Sequence, residues 1–188
     1  MTNRYEIALA GTGGQGLILA GLILAEAAAL FDKKNAVQSQ DYGPEARGGA
    51  SKSEVIISNG EIGFPKIMAA DLLLAMSQEA VDKYYHKLKK NGILVVDRDL
   101  VSRIPTTKAY RLPLTATAQE KTGKKLTASV VALGAIVGLT HIVSREAILA
   151  AVTDRAPKGT AELNQKALAA GFDLVANLEP PEKQASGS

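Results

Sequence analysis

Gly11-Thr12-Gly13-Gly14-Gln15-Gly16 sets four glycines in six residues between a short apolar run and a long one. Gly11, Gly13 and Gly16 fit the spacing G-x-G-x-x-G. Glycine tolerates positive φ and leaves the backbone bare for a ligand to approach. The first-turn N–H groups of a following helix lack intrahelical acceptors and point at any anion placed before them. The chemistry this permits is the binding of a dinucleotide or another phosphate ester. A plain tight turn that packs helix against strand uses the same residues, and both readings stay open here.

A second loop, Asp41-Tyr42-Gly43-Pro44-Glu45-Ala46-Arg47-Gly48-Gly49, gathers a proline, three glycines, two carboxylates and an arginine. Gly43-Pro44 forces a turn. Gly48-Gly49 frees the backbone after Arg47, whose planar guanidinium suits bidentate contact with carboxylate or phosphate oxygens. The alternative is an arginine paired internally with Asp41 or Glu45. In an open α/β sheet both loops are expected to leave the carboxyl ends of neighbouring strands, where such sheets collect ligands.

No set of residues forms a complete catalytic constellation, so the candidate catalytic residues are none and the isolated chain is expected to be inactive. There is no cysteine, hence no thiolate nucleophile and no iron–sulfur cluster held by this chain. The two histidines, His86 and His141, lie too far apart in sequence to suggest a metal site, and none is expected. His86 reads as solvated in a charged helix, and His141, ending an apolar one, reads equally as a cap or as a catalytic group. Ser51 and Ser53 have no histidine close in sequence. Asp97-Arg98-Asp99 ends a strand, a place where ligands are often met, and reads either as part of such a site or, more plainly, as a solvated ion-pair cluster. A dinucleotide-binding Rossmann unit carries an acid about 20 residues past its glycines to hold the ribose. Gln38, Ser39 and Gln40 occupy that place and Asp41 comes late, which disfavours NAD.

The elements that must position these loops follow from periodicity. Tyr5 to Leu9 reads as a strand and Leu17 to Phe31 as a helix. Asn35 to Gln40 and Ser53 to Ser58 read as strands, and Asn59-Gly60 as a turn. Asp71 to Met76 and Gly92 to Asp97 are short apolar runs of the kind buried on both faces of a parallel sheet. Ser77 caps a helix that runs through the cationic stretch Tyr84 to Lys90 and stops at Asn91-Gly92. Lys108 to Leu114 adds a strand and Thr115 to Thr122 a short helix. Ala128 to Ile142 is apolar nearly all round. Its small residues Ala132, Gly134, Ala135 and Gly138 admit another backbone, of the sheet or of a partner chain. Ser144 caps a further helix, and Gly159 to Asn177 holds the last.

The fold class expected is α/β, a three-layer α/β/α arrangement with a mostly parallel, Rossmann-like sheet. Residues 1–178 are expected to form a single domain and 179–188 a flexible C-terminal tail. With 188 residues, one core able to bury about 70% of the unfolded surface is expected. Hydrophobic residues make up 46% and charged residues 22%, a balance that argues against general disorder. A net charge of +3 falls short of the clustered positive field of a nucleic-acid binder. The first residues lack the apolar core of a signal peptide, and the early apolar helix carries Glu26, so a cytoplasmic setting away from membranes is expected.

Taken together, GTGGQGLILAG, AVQSQDYGPEARGGASKSEVIIS, IGFPK, DLLLAMSQEA and GILVVD make the chain resemble the gamma subunit of 2-oxoacid:ferredoxin oxidoreductases, most closely the 2-oxoglutarate (2-ketoglutarate) type. The likeness runs from Ile7 to about Val101, and YGPEARGG is its most specific part. The resemblance implies a multisubunit enzyme that oxidatively decarboxylates a 2-oxoacid to an acyl-CoA, succinyl-CoA in the 2-oxoglutarate type, with electrons passed to ferredoxin. It implies alpha, beta and ferredoxin-like delta partners, with thiamine diphosphate and iron–sulfur clusters held by those other chains. It further implies a coenzyme A contact for this subunit. The candidate binding residues are Gly11, Gly13, Gly14, Gln15, Gly16, Tyr42, Arg47, Gly48 and Gly49. Alternatives are a stand-alone NAD(P)-dependent oxidoreductase and a purely structural assembly subunit whose glycine loops touch only protein.

Overall fold

A computed structural model of the chain describes residues 3–42 and 49–181. Six strands form one sheet in the order β2-β3-β1-β4-β5-β6: β1 (Arg4–Thr12), β2 (Asn35–Tyr42), β3 (Ala50–Ser58), β4 (Ala70–Ala75), β5 (Leu88–Asp97) and β6 (Ala109–Leu112). β1, β4, β5 and β6 pair in parallel, and β3 runs antiparallel to both β1 and β2. Five strands therefore point one way and β3 alone reverses, which agrees with a mostly parallel α/β sheet.

The apolar runs are continuous because both faces are covered. Ile7, Leu9, Val55, Ile57, Leu72, Leu74 and Val95 face one layer of helices: α1 (Leu17–Glu26), α3 (Leu114–Thr122), α4 (Ala128–Thr140), α5 (Arg145–Arg155) and α6 (Ala161–Val175). Ala8, Ala10, Leu73, Ala75, Leu94 and Val96 face the other way, toward α2 (Gln78–Tyr84) and the returning stretch with Val101. The layers are unequal, with five helices against one short one. α1 continues into a single π-turn, Ala27–Phe31, before the chain enters β2.

β3 begins at Ala50, earlier than the pattern from Ser53 suggests. Lys52 and Glu54 interrupt the apolar alternation, yet Lys52 is buried, pairs with Glu54 on the same face and lies 5.1 Å from the Tyr84 ring centroid. α2 also differs from expectation. It ends at Tyr84, a 3-10 turn covers Tyr85–Lys87, and β5 has already started at Leu88. The lysines that read as a cationic helix end stand on the exposed lower part of a strand. Asn91-Gly92 is not a helix stop: the β4–β5 register shifts between the pairs Ala70↔Leu88 and Leu72↔Ile93, so the segment is a bulge. A Cβ on Gly92 would lie 2.6 Å from Leu88 Cδ1 and 3.0 Å from the Lys89 carbonyl oxygen, so a larger residue would displace the Leu88 side chain.

The nearly all-apolar α4 is covered by α6 of the same chain. A Cβ at Gly134 would sit 2.2 Å from the Leu168 carbonyl oxygen, and one at Gly171 would sit 2.0 Å from that of Val131. The two helices thus meet backbone to backbone, and dispersion over this close crossing replaces side-chain interdigitation. Gly138 is less constrained, since its nearest neighbour is the Val175 side chain at 2.5 Å.

Asp97 is not a solvated charge. It is fully buried and accepts from Asp99 N–H at 3.0 Å, from Thr115 N–H at 2.8 Å and from the Thr115 hydroxyl at 2.5 Å. A carboxylate at the first turn of α3 satisfies an orphan donor and complements the helix dipole, joining the end of β5 to that helix. Arg98 and Asp99 form the exposed pair that remains, at 3.3 Å. His141 ends α4 through its backbone, in the left-handed region at φ 51° with its N–H on the Val137 carbonyl, and its ring is not the capping group.

Two outcomes follow from this packing. Asp97→Asn should lower unfolding stability by about 2 kcal/mol in urea titrations, since three donors lose a charged acceptor and an amide N–H₂ faces Thr115. Gly134→Ala should cost about 3 kcal/mol by forcing α4 and α6 apart, and Gly138→Ala clearly less because a side chain can yield there.

Candidate functional site

The glycine turn follows β1 directly. Gly14 and Gly16 adopt φ of 87° and 78°, conformations open to glycine at little cost. Gly16 is the N-cap of α1 and offers no side chain to its first turn. α2 and α5 are finished differently: Ser77 and Ser144 each accept a hydrogen bond from the third residue beyond them. α1, like α4 and α6, carries no side-chain cap on its first-turn amides, a condition an anion site needs. Cβ atoms placed on Gly13 and Gly14 would meet nothing within 4 Å, so this part of the turn is open to a visitor. Gly11 is different, because a Cβ there would overlap the Gln15 carboxamide oxygen at 2.1 Å.

Gln15 turns inward. Its Oε1 accepts from Thr12 N–H at 2.9 Å, and its Nε2 donates to the Met76 carbonyl at 2.9 Å.

The reversed β3 decides where the second loop goes. Ser51 pairs with Gly11 on one side and with Tyr42 on the other, so the turn after β1 and the loop after β2 leave the same rim of the sheet. The strands concerned are not neighbours, contrary to the sequence reading. One strand separates them, a lateral offset of roughly 10 Å at ordinary strand spacing. Gly49 and the Tyr42 backbone stand at this rim, while Arg47 and Gly48, with the rest of 43–48, lie outside the described residues.

Beside the glycine turn, between α1 and the rim ends of β2 and β3, runs a groove of about 480 Å³, lined by Gly13, Gly14, Gly16, Leu17, Ile18, Leu19, Leu22, Gln38, Gln40 and Ser51. None of these side chains is charged. Leu19 is 44% exposed, so one wall offers apolar surface to solvent beside the amides of the turn. Gln38 is held by donating from Nε2 to Ser53 Oγ at 2.9 Å, and Ser53 is fully buried. Close packing of α1 on β3 fixes the depth of the groove, because a Cβ on Gly21 would lie 2.0 Å from Ser53 Oγ. Sequence spacing did not single out Gln38, Leu19 or Leu22 as wall residues. Their periodic positions on β2 and α1 were the available signal.

Neither serine meets a histidine: His86 follows α2 on the opposite face, and His141 ends α4. Asp41 does not reach the place of a ribose-binding acid either. It lines a hollow on the reverse face with Lys52 and Glu54, while Gln38 and Gln40 line the groove. A larger hollow of about 680 Å³ is lined by Lys89, Lys90, Tyr110 and neighbours, at the amino ends of β5 and β6. Open α/β sheets take ligands at the opposite, carboxyl ends, so the smaller groove is the candidate site.

Comparison with known proteins agrees with this architecture. The family model of pyruvate ferredoxin/flavodoxin oxidoreductase matches residues 6–174. A 2-oxoglutarate synthase subunit KorC from Methanocaldococcus jannaschii is 50% identical over 179 residues, covering 93% of this chain and 96% of that one. The crystal structure of a keto/oxoacid ferredoxin oxidoreductase gamma subunit from Geobacter sulfurreducens superposes with a TM-score of 0.85 at 51% identity, covering 92% of this chain and 96% of that one. A 2-oxoglutarate:ferredoxin oxidoreductase from Magnetococcus marinus, solved with 2-oxoglutarate, coenzyme A and succinyl-CoA bound, shares the fold at a TM-score of 0.84 and 24% identity. There this chain corresponds to 94% of its own length and 32% of that longer chain. With a matching family model across most of its length and full-length relatives at half identity, the chain belongs to the pyruvate ferredoxin/flavodoxin oxidoreductase family.

Proposed function

We propose that this chain is the gamma subunit of a 2-oxoglutarate:ferredoxin oxidoreductase and that its part in the reaction is to hold the phosphates of coenzyme A. The observation that carries the subunit assignment is the end-to-end match to a 2-oxoglutarate synthase subunit, with 93% and 96% of the two chains aligned. The complex oxidises the oxoacid, releases carbon dioxide, forms succinyl-CoA and passes electrons to ferredoxin. Thiamine diphosphate and the iron–sulfur clusters belong to companion chains, consistent with a sequence that has no cysteine. The setting we expect is the cytoplasm; among the described residues no helix is long and apolar enough to cross a membrane.

The chemistry of the groove fits one end of coenzyme A. Phosphate oxygens need several N–H donors without a nearby carboxylate, and the uncapped first turn of α1 with bare Gly13 and Gly14 offers them. The uncharged part of the ligand suits the wall of Ile18, Leu19 and Leu22 with the amides of Gln38 and Gln40. Tyr42, Arg47, Gly48 and Gly49 would complete the site from the second loop, with Arg47 as the bidentate partner of a phosphate. A stand-alone dinucleotide enzyme is the poorer reading, because among the described residues no acid lines the groove where ribose hydroxyls would lie.

The test is reconstitution with the companion chains. Coenzyme A-dependent and 2-oxoglutarate-dependent dye or ferredoxin reduction should require this chain, and full turnover without it would overturn the assignment. Gly13→Asp places a carboxylate in open space at the turn and should raise the Michaelis constant for coenzyme A about tenfold, equivalent to about 1.4 kcal/mol. The constant for 2-oxoglutarate and kcat should hold. If Gly13→Asp and Arg47→Ala weaken subunit assembly and leave the coenzyme A constant unchanged, the loops serve protein contact alone.

A further inference from the structure

The last rung of the β1–β4 ladder joins Met76 N–H to the Ala10 carbonyl at 2.8 Å. Beyond it β1 stays paired with β3 as far as Thr12, but the Thr12 N–H is taken by Gln15, so no backbone donor of β1 continues the ladder to the Met76 carbonyl. The Gln15 side chain fills that place. Its carboxamide carries one donor and one acceptor like a peptide unit, and both are used: Nε2 on Met76, Oε1 on Thr12. Gly11 leaves the room, since a Cβ there would overlap Oε1. The bridge therefore ties the end of one strand and the far side of the turn to the end of the neighbouring strand.

This bridge stands at a particular point of the fold. α1 leaves β1 toward the five-helix layer, while α2 leaves β4 toward the opposite face. The gap between β1 and β4 is thus the topological switch point, where open α/β sheets place a dinucleotide. Gln15 spans it and is not among the residues lining the groove, which opens on the other side of the turn against β3 and β2.

We propose that Gln15 is a positioning residue rather than a ligand contact: its carboxamide substitutes for the missing ladder rung, closes the switch-point crevice, and fixes the Gly13 and Gly14 amides over the groove. Its effect on coenzyme A rests on the reading of the groove given above. Thr12 and Met76 are held from behind while the open edge of the turn faces the ligand. The donors are then ordered before binding, and affinity is gained because less ordering remains to be done at that moment.

Gln15→Met keeps length and volume but can neither donate to Met76 nor accept strongly from Thr12. In the assembled enzyme, hydrogen exchange across Thr12 to Gly16 should accelerate at least tenfold. The Michaelis constant for coenzyme A should rise about tenfold, with kcat and the 2-oxoglutarate constant held. A side chain that merely stabilised the fold would shift thermal unfolding without splitting the two substrate constants. Unchanged exchange, or faster exchange with an unchanged coenzyme A constant, would overturn the proposal. Gly13→Asp separates the two levels. If it raises the coenzyme A constant while Gln15→Met does not, only the positioning role fails; if neither does, the coenzyme A reading fails as well.

Discussion

The reversed pairing of β3 between β1 and β2 is the constraint on which the site depends. A strand flanked on both sides must run in register with both, and here that register sets Gly11, Ser51 and Tyr42 in one row. Had β2 paired directly with β1 in parallel, as in a dinucleotide-binding unit, the strand beside the glycine turn would end there and could carry a ribose-binding acid at its tip. With β3 in that place the neighbouring strand begins at the rim instead, at Ala50 and Ser51. The space that opens beside α1 is consequently uncharged, and any charge on the far wall must come from the loop that joins β2 to β3.

Burial on both faces makes this arrangement rigid. Ile7, Leu9, Leu72 and Leu74 are closed off by the five-helix layer, and Ala8, Ala10 and Ala75 by α2. Small residues on the second face let a short helix lie close, so a thin layer suffices there. Full burial of each larger aliphatic side chain contributes about 2 kcal/mol, so these strand ends do not fray and the turn stands on a firm base. The glycine turn and the groove beside it thus stand on a rigid scaffold.

The sequence made some of this legible and hid the rest for physical reasons. DLLLAM and ILVVD read as parallel strands because double-sided burial leaves no polar positions. The lower half of β5 was hidden because it is exposed and carries Lys89 and Lys90, which in one dimension resemble the cationic end of a helix. Gly134 and Gly138 announced a close backbone approach, but which backbone is a tertiary fact, and α6 answers it. The glycine turn was visible as a possible anion site. The inward direction of Gln15 was not, because it depends on Met76, some sixty positions away in sequence and adjacent only once β1 and β4 pair. Strand order likewise has no local signature, so the separation of the two loops by β3 could not be read from spacing.

Among the described residues, the most buried acids serve the fold. The buried acids are engaged in holding backbone. Asp97 binds two amides and a hydroxyl at the start of α3, and Glu6 accepts from Arg4 and from Met68 N–H. Asp71 accepts from Glu6 N–H and pairs with Lys89, and it also helps push the half-buried Tyr5 phenol up to about 12, burial being the larger cause. A phenol held neutral in that way is no general base at physiological pH. Arg4 uses its remaining donors on the carbonyls of Phe64 and Lys66. Groups held in this way by hydrogen bonds to the main chain tie the strand ends and the start of α3 together. Among the described residues, the groove beside the glycine turn is lined by backbone, carboxamide, hydroxyl and apolar surface.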